Sequence, residues 1–178
     1  MNKNVVMDID GVLADFNGAF VKKFGTDRQE LENLESRYPN RATEIYKFVS
    51  NPATYKDLEP IPLGLSIVDF LVDNGFDVDV VTSRPLSSEW VTRRWLKKTG
   101  IRYLSFGVFP NKASQIHYLH PICAVDDLIS VSRLLTRYLV PVLVFQQPWN
   151  WFYEDKSQVF SNLGQFISAF QRIRTKKD

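Results

Sequence analysis

Asp8 and Asp10 stand two residues apart in MDIDGV. In extended chain, residues i and i+2 face the same way, so both carboxylates can project from one strand end. Two acids held that close repel, and a divalent cation or a shared proton is the usual relief. With magnesium beside it, the Asp8 carboxylate can approach an anionic phosphate and attack phosphorus, giving an aspartyl phosphate. Asp10 would protonate the leaving alcohol and then take a proton from the hydrolytic water. Taken alone, the pattern also reads as an acidic turn that closes a strand, with Gly11 allowing the sharp bend.

Three later segments supply what such chemistry needs. Thr82 and Ser83 close the alternating run DVDVVT, placing a hydroxyl and neighbouring backbone N–H groups where phosphate oxygens can bind; the plain alternative is a Ser/Thr turn or helix cap. Lys112 offers a point charge that can hold nucleophile and phosphate together, although a lone lysine is ordinarily a solvated one. Asp126 and Asp127 end the apolar run ICAV, where two consecutive acids are poorly explained by solubility. Asp8, Asp126 and a backbone carbonyl would make a suitable oxygen-rich Mg2+ site. Asp127 would then orient waters or Lys112 from behind.

These groups must be carried to one place by the elements around them. Asn4 to Ile9 reads as a wholly buried strand, and FDVDVVT, Tyr103 to Phe109, Pro121 to Val125 and Val140 to Phe145 as further strands. Helices are expected through Leu65 to Val72 with a stop at Asn74-Gly75, through Trp90 to Leu96, from Leu128 to Tyr138, and through Leu163 to Phe170 before a frayed RTKKD tail. Between Phe16 and about Pro60 the chain is richer in charge, with Phe20, Phe24, Tyr38, Tyr46 and Phe48 at helix-compatible spacing. It reads as a small helical insertion. LEPIPLGL, with two prolines and a glycine, reads as the extended link back. Alternating strands and helices predict an α/β fold, a parallel sheet covered on both faces, with ligands at the carboxyl ends of its strands.

DIDGV, VTSR, Lys112 and VDD, in that order from Asp8 to Asp127, resemble the four motifs of the haloacid dehalogenase (HAD) superfamily of phosphatases. The resemblance implies a Rossmann-like core over residues 1–15 and 61–178 with a helical cap inserted over residues 16–60. It also implies Mg2+ as cofactor, with the Asp10 backbone carbonyl as a ligand while the Asp10 side chain does acid and base work. DGVLADF, Asp10 to Phe16, and DLEPIP, Asp57 to Pro62, are similar to the 5′(3′)-deoxyribonucleotidases, which implies a deoxyribonucleoside monophosphate as substrate. On that likeness Phe16 would stack on the base, and Phe48 or another cap aromatic would help enclose it. Arg84 departs from the pattern, standing where those nucleotidases usually carry proline; it reads either as a bidentate phosphate ligand or as a surface or ion-pair residue. The insertion is also shorter, and their Gly-Phe-Trp segment is not found.

Two other enzyme readings share this chemistry: a phosphatase of nucleic-acid 3′ ends, or one for another small phosphomonoester. A retained fold acting only as a binding module is the non-enzymatic alternative. No GxxxxGK[ST] loop occurs, which argues against a kinase. In 178 residues with a formal charge of +2, nothing global points to nucleic acid. Arg93, Arg94, Lys97, Lys98 and Arg102 form a local cationic group, read first as a solvated helix face. His117, His120 and Cys123 have zinc-like spacing but lack a fourth ligand. Trp149 and Trp151 are expected to pack a loop near the active edge, with a ligand role open. A single cysteine, and an amino terminus that reaches Asp8 before any apolar run, lead us to expect a cytoplasmic protein with no membrane partner; a homodimer is compatible with the sequence.

Overall fold

Val5, Val6 and Met7 are each at most 1% exposed, so the strand that holds them must be covered on both faces. In the computed structural model, which describes residues 3–25, 39–153, 155 and 158–175, that strand is β1 (Asn4–Met7). The others are β2 (Asp77–Thr82), β3 (Ser105–Val108), β4 (Cys123–Asp126), β5 (Val142–Phe145) and β6 (Val159–Phe160). All pair in parallel, in the order β3-β2-β1-β4-β5-β6. Tyr38 and the last three residues of the expected tail lie outside the described residues.

Period-two alternation decides which helices cover which face. Val5, Met7, Val78, Val80, Cys123, Val125, Leu143 and Phe145 point to one side, where they meet α3 (Pro62–Asp73), α4 (Glu89–Lys98) and α7 (Leu163–Thr175). Val6, Val81, Ala124, Val142 and Val144 point to the other, against α5 (Lys112–Tyr118) and α6 (Ile129–Arg137). The molecule is an α/β sandwich whose parallel sheet is covered on both faces, as the alternation of strands and helices predicts.

Most expected elements are present, the strands mostly with shorter ends, while α3, α4 and α7 run longer than expected and α3 begins at Pro62, inside the segment expected to be an extended link. β1 stops at Met7 rather than Ile9 because the Ile9 carbonyl accepts from the N–H groups of Val12, Leu13 and Ala14, which curls the chain out of the sheet at Gly11. Two elements are not anticipated by the sequence. α5 is seven residues long, and β6 is a two-residue edge strand, both too short for periodicity to declare.

Between β1 and α3 lie α1 (Phe16–Phe24) and α2 (Ala42–Ser50). Asp15 caps α1 by accepting from the Gly18 N–H at 2.8 Å, and Gly25 ends it at φ 65°. Phe20 and Phe24 of α1 and Ile45 of α2 share a small buried cluster of their own with Trp149. The segment leaves and re-enters the sheet side by side: the Asp15 N–H donates to the Glu59 carbonyl and the Ile61 N–H to the Leu13 carbonyl, both at 2.8 Å. Gly64, at the start of α3, lies so close that a Cβ there would meet the Val12 carbonyl oxygen at 2.1 Å. Because that obstacle is backbone, Gly64→Ala is expected to destabilise the protein by about 1–3 kcal/mol, as overpacking typically does, measurable by urea denaturation.

Candidate active site

The strand order reverses at β1, with β2 and β3 built outward on one side and β4 to β6 on the other. Side chains that follow β1 and β4 therefore meet over a crevice at the carboxyl edge of the sheet. Asp8, directly after β1, keeps its place through an N–H bond to the Val125 carbonyl at 3.0 Å. Asp126 ends β4 and Asp127 follows it. The three carboxylates are 4%, 1% and 2% exposed, and one oxygen of each lies within 4.8 Å of the others.

Lys112 is the cation that makes this acid cluster tolerable. It opens α5, where Asn111 caps the helix, and its Nζ reaches Asp8 Oδ2 and Asp126 Oδ2, both at 2.8 Å. Burial would lower the Lys112 pKa, but the Asp126 and Asp8 carboxylates override that and raise it, so the ammonium stays charged. Asp8 moves the opposite way from most paired acids. Burial drives it up and the Asp126 carboxylate adds to this, Lys112 pulls it down, and the balance leaves it at about 7. Burial and the two neighbouring carboxylates also push Asp127 well up.

Asp126 and Asp127 differ in what their oxygens do. Asp126 spends Oδ2 on Lys112 and Oδ1 on the Leu128 N–H at 2.9 Å. Asp127 accepts from the Trp149 indole N–H at Oδ2, 2.9 Å, while its Oδ1 is buried with no hydrogen-bond partner. Asp127 also lines the crevice with Asp8, Asp10, Thr82, Ser83 and Lys112. An all-carboxylate donor set with an orphaned buried oxygen fits a hard cation such as Mg2+. His117 and His120, by contrast, lie 5.8 Å apart edge-on, with His117 stacked on Tyr138 and Cys123 sunk in the sheet.

Arg84 is held by ion-pair and ring contacts. Its Nε and Nη2 donate to Asp10 Oδ2 and Oδ1 at 2.8 and 2.6 Å, and its Nη1 donates to Thr92 Oγ1 at 3.0 Å. The guanidinium lies 4.5 Å over the Tyr55 ring and its side chain is 1% exposed. Bidentate pairing of this kind fixes the plane of the Asp10 carboxylate. Thr82 is buried and its Oγ1 accepts from the Arg84 N–H at 3.2 Å, whereas Ser83 is exposed at the mouth.

Phe16 lines the cavity beside Asn17, Val49, Tyr55 and Pro85, within a volume of about 280 Å3. Its ring stacks with Tyr55 at 5.8 Å and tilts against Phe48 at 5.7 Å. Tyr55 is the wall residue that sequence reasoning does not find. It closes a four-residue 3-10 helix, Pro52–Tyr55, too short to show periodicity, and only the fold shows it under Arg84, its hydroxyl donating to the Val49 carbonyl at 2.6 Å. Trp151 is exposed and Trp149 buried, so the two tryptophans part company. Part of the cationic group is paired: Arg93 and Lys98 of α4 with Glu89 and Asp57, and Arg102, beyond the helix, with Asp69 and Asp73.

A model of the family described as "5′ nucleotidase, deoxy (Pyrimidine), cytosolic type C protein" (NT5C) matches residues 2–161. Among the curated proteins none matches the chain. Solved structures match in fold. A Clostridium difficile protein provisionally named a phosphatase aligns with TM-score 0.67 at 16% identity, over 95% of this chain and 98% of that one. A HAD family hydrolase from Deinococcus radiodurans R1, solved with bound phosphate and sodium, aligns with TM-score 0.64 at 11% identity, over 97% and 96%. A HAD-superfamily hydrolase from Ehrlichia chaffeensis aligns with TM-score 0.55 at 14% identity, over 100% of both chains.

The raised Asp8 carboxyl has a thermodynamic consequence for the metal-free protein. Between its ordinary value of 3.8 and about 7, the folded chain binds more protons at Asp8 than the unfolded chain does. Its contribution to stability is therefore full below 3.8 and is lost as pH rises through about 7. Asp8→Asn, which keeps the shape without the charge, is expected to melt higher than wild type at pH 8 in chelator and to lose that advantage near pH 4. Calorimetry at the two pH values checks it.

Proposed function

The chain belongs to the NT5C family of 5′ nucleotidases and is a HAD-type phosphatase, and from that premise we propose that it dephosphorylates deoxyribonucleoside monophosphates through an aspartyl phosphate on Asp8, with Mg2+ as cofactor. The observation that carries the reading is a buried carboxylate, Asp8, poised between the Lys112 ammonium and the open oxygen of Asp127 at the floor of an aromatic-walled cavity. Residues 16–60 act as the cap over that cavity and residues 1–15 and 61–178 as the catalytic core.

Asp8 attacks phosphorus in line with the ester oxygen, which departs as that bond breaks. Asp10, carried on the turn beyond Asp8 and held in plane by Arg84, delivers a proton to the departing oxygen. It then takes one from a water that attacks phosphorus, so that the Asp8–phosphorus bond breaks, phosphate leaves and Asp8 is regenerated. The Thr82 hydroxyl, the Ser83 N–H and hydroxyl, and the Lys112 ammonium bind the phosphoryl oxygens and offset the charge that builds on them. Arg84, committed to Asp10 and Thr92, serves the substrate indirectly by orienting the acid–base carboxyl. Bound Mg2+ would neutralise the phosphate and the Asp8 carboxylate as they approach. Asp8 and the Asp10 carbonyl would hold it, and we assign the remaining carboxylate to Asp127 instead of Asp126, because both Asp126 oxygens are already engaged.

Cavity size favours a small ester over a polymer. A volume of about 280 Å3 sits at the low end for small-molecule sites. Phe16 offers a flat face to a base, backed by the buried Tyr55 ring. A cytoplasmic setting is part of the proposal; the family description reads cytosolic, and no helix among the described residues is long and apolar enough to cross a membrane.

A phosphate-release panel tests this. Deoxyribonucleoside monophosphates are expected to be hydrolysed with Mg2+ and not in excess chelator, faster than sugar phosphates or oligonucleotide 3′-phosphates, and Asp8→Asn should lose at least about a thousandfold in kcat while staying folded. Near-normal turnover by Asp8→Asn would refute covalent catalysis there. The metal assignment is checked separately by Mn2+ titration followed by electron paramagnetic resonance: Asp127→Asn should weaken binding more than Asp126→Asn does, and the reverse order would return the ligand to Asp126.

A further inference from the structure

An indole has one polar atom, so a buried tryptophan must find its N–H an acceptor. Trp149, 6% exposed, gives that N–H to Asp127 Oδ2 at 2.9 Å. Its ring meanwhile belongs to the cap's own cluster, with Phe20 and Phe24 of α1 and Ile45 of α2. One rigid side chain thus touches the cation-site carboxylate by its edge and the cap by its body.

The surroundings leave Asp127 little freedom. Gly11, at φ 81°, crowds the same oxygen: a Cβ there would lie 2.2 Å from Asp127 Oδ2. The loop that carries Trp149 is itself pinned. Asn150 Nδ2 donates to the Asp127 and Phe145 carbonyls, and Gln147 Nε2 donates to the Gly11 carbonyl, all at 2.8 Å. With Oδ2 taken by the indole, the oxygen left over is Oδ1, the buried one without a partner.

We infer that Trp149 is a positioning residue that couples the cap to the cation site: the cap helices seat the indole, and its N–H fixes Asp127 with Oδ1 presented to the cation. This rests on the assignment of Asp127 as a metal ligand. Outer groups that orient a ligand commonly govern metal affinity by ten- to a hundredfold. Coupling is reciprocal, so a bound cation also steadies the cap.

Trp149→Phe is the direct test, since it keeps an aromatic ring in the cap cluster and removes the N–H. Mn2+ binding, read by electron paramagnetic resonance with Mg2+ as competitor, is expected to weaken at least about tenfold in this variant, while metal-free protein melts close to wild type. Ile45→Ala loosens the cap cluster without touching Asp127; it should weaken Mn2+ binding severalfold in wild type and add nothing in the Trp149→Phe background. Wild-type affinity in folded Trp149→Phe, with Asp127→Asn impaired, overturns the coupling alone. Unaltered binding by Asp127→Asn overturns the metal assignment and the coupling with it. Should Trp149→Phe fail to fold, unchanged Mn2+ affinity in folded Ile45→Ala overturns the coupling by itself.

Discussion

Three carboxylates share a buried crevice with a single ammonium, and the rest of the molecule is arranged around that imbalance. Moving even one carboxylate out of water costs several kcal/mol unless partners replace its hydration. Lys112 bridges Asp8 and Asp126 and leaves Asp127 to hydrogen bonding and to whatever positive charge enters. The parallel sheet makes this possible because its covered strands hold backbone positions rigidly enough that like charges cannot drift apart. On the proposed mechanism Asp8 needs that restraint, since an anion must be brought against an anion.

Asp10 illustrates a second constraint. It stands two residues beyond Asp8, yet its carboxylate turns away from the acid cluster and is clasped by Arg84. Arg84 in turn rests on Tyr55, and Trp95 beside it donates to the Leu58 carbonyl at 2.8 Å, so the chain returning from the inserted helices is bolted to α4 and to Asp10 together. Trp149 makes a comparable link between the α1–α2 cluster and Asp127. The inserted helices and the sheet therefore meet through aromatic residues that touch Asp127 or Arg84, the partner of Asp10.

Much of the fold was legible. Wholly apolar runs announced the buried strands, and polar residues at their ends announced the crevice, because a covered strand has no other reason to finish in acids. Lys112 could be named from motif order, but its helix could not, since seven residues leave too little periodicity. Tyr55 and the bond from Trp149 were hidden for a different reason. Their partners are Arg84 and Asp127, 29 and 22 positions away, and no local pattern records a contact across such gaps.

Sequence by itself determined the chemistry available here: a pair of acids two residues apart, a hydroxyl pair, a lysine and a second pair of acids, each closing or following an apolar strand. Those identities limit the reaction to what carboxylates, hydroxyls and one ammonium can do to a phosphate ester. Tertiary structure alone decided which oxygen is free. Asp126 and Asp127 are chemically identical neighbours, but successive residues at a strand end point in different directions. One therefore meets Lys112 and the Leu128 N–H, and the other meets Trp149 and keeps an open oxygen. The same holds for Arg84, whose type permits phosphate binding and whose guanidinium the fold buries and pairs with Asp10.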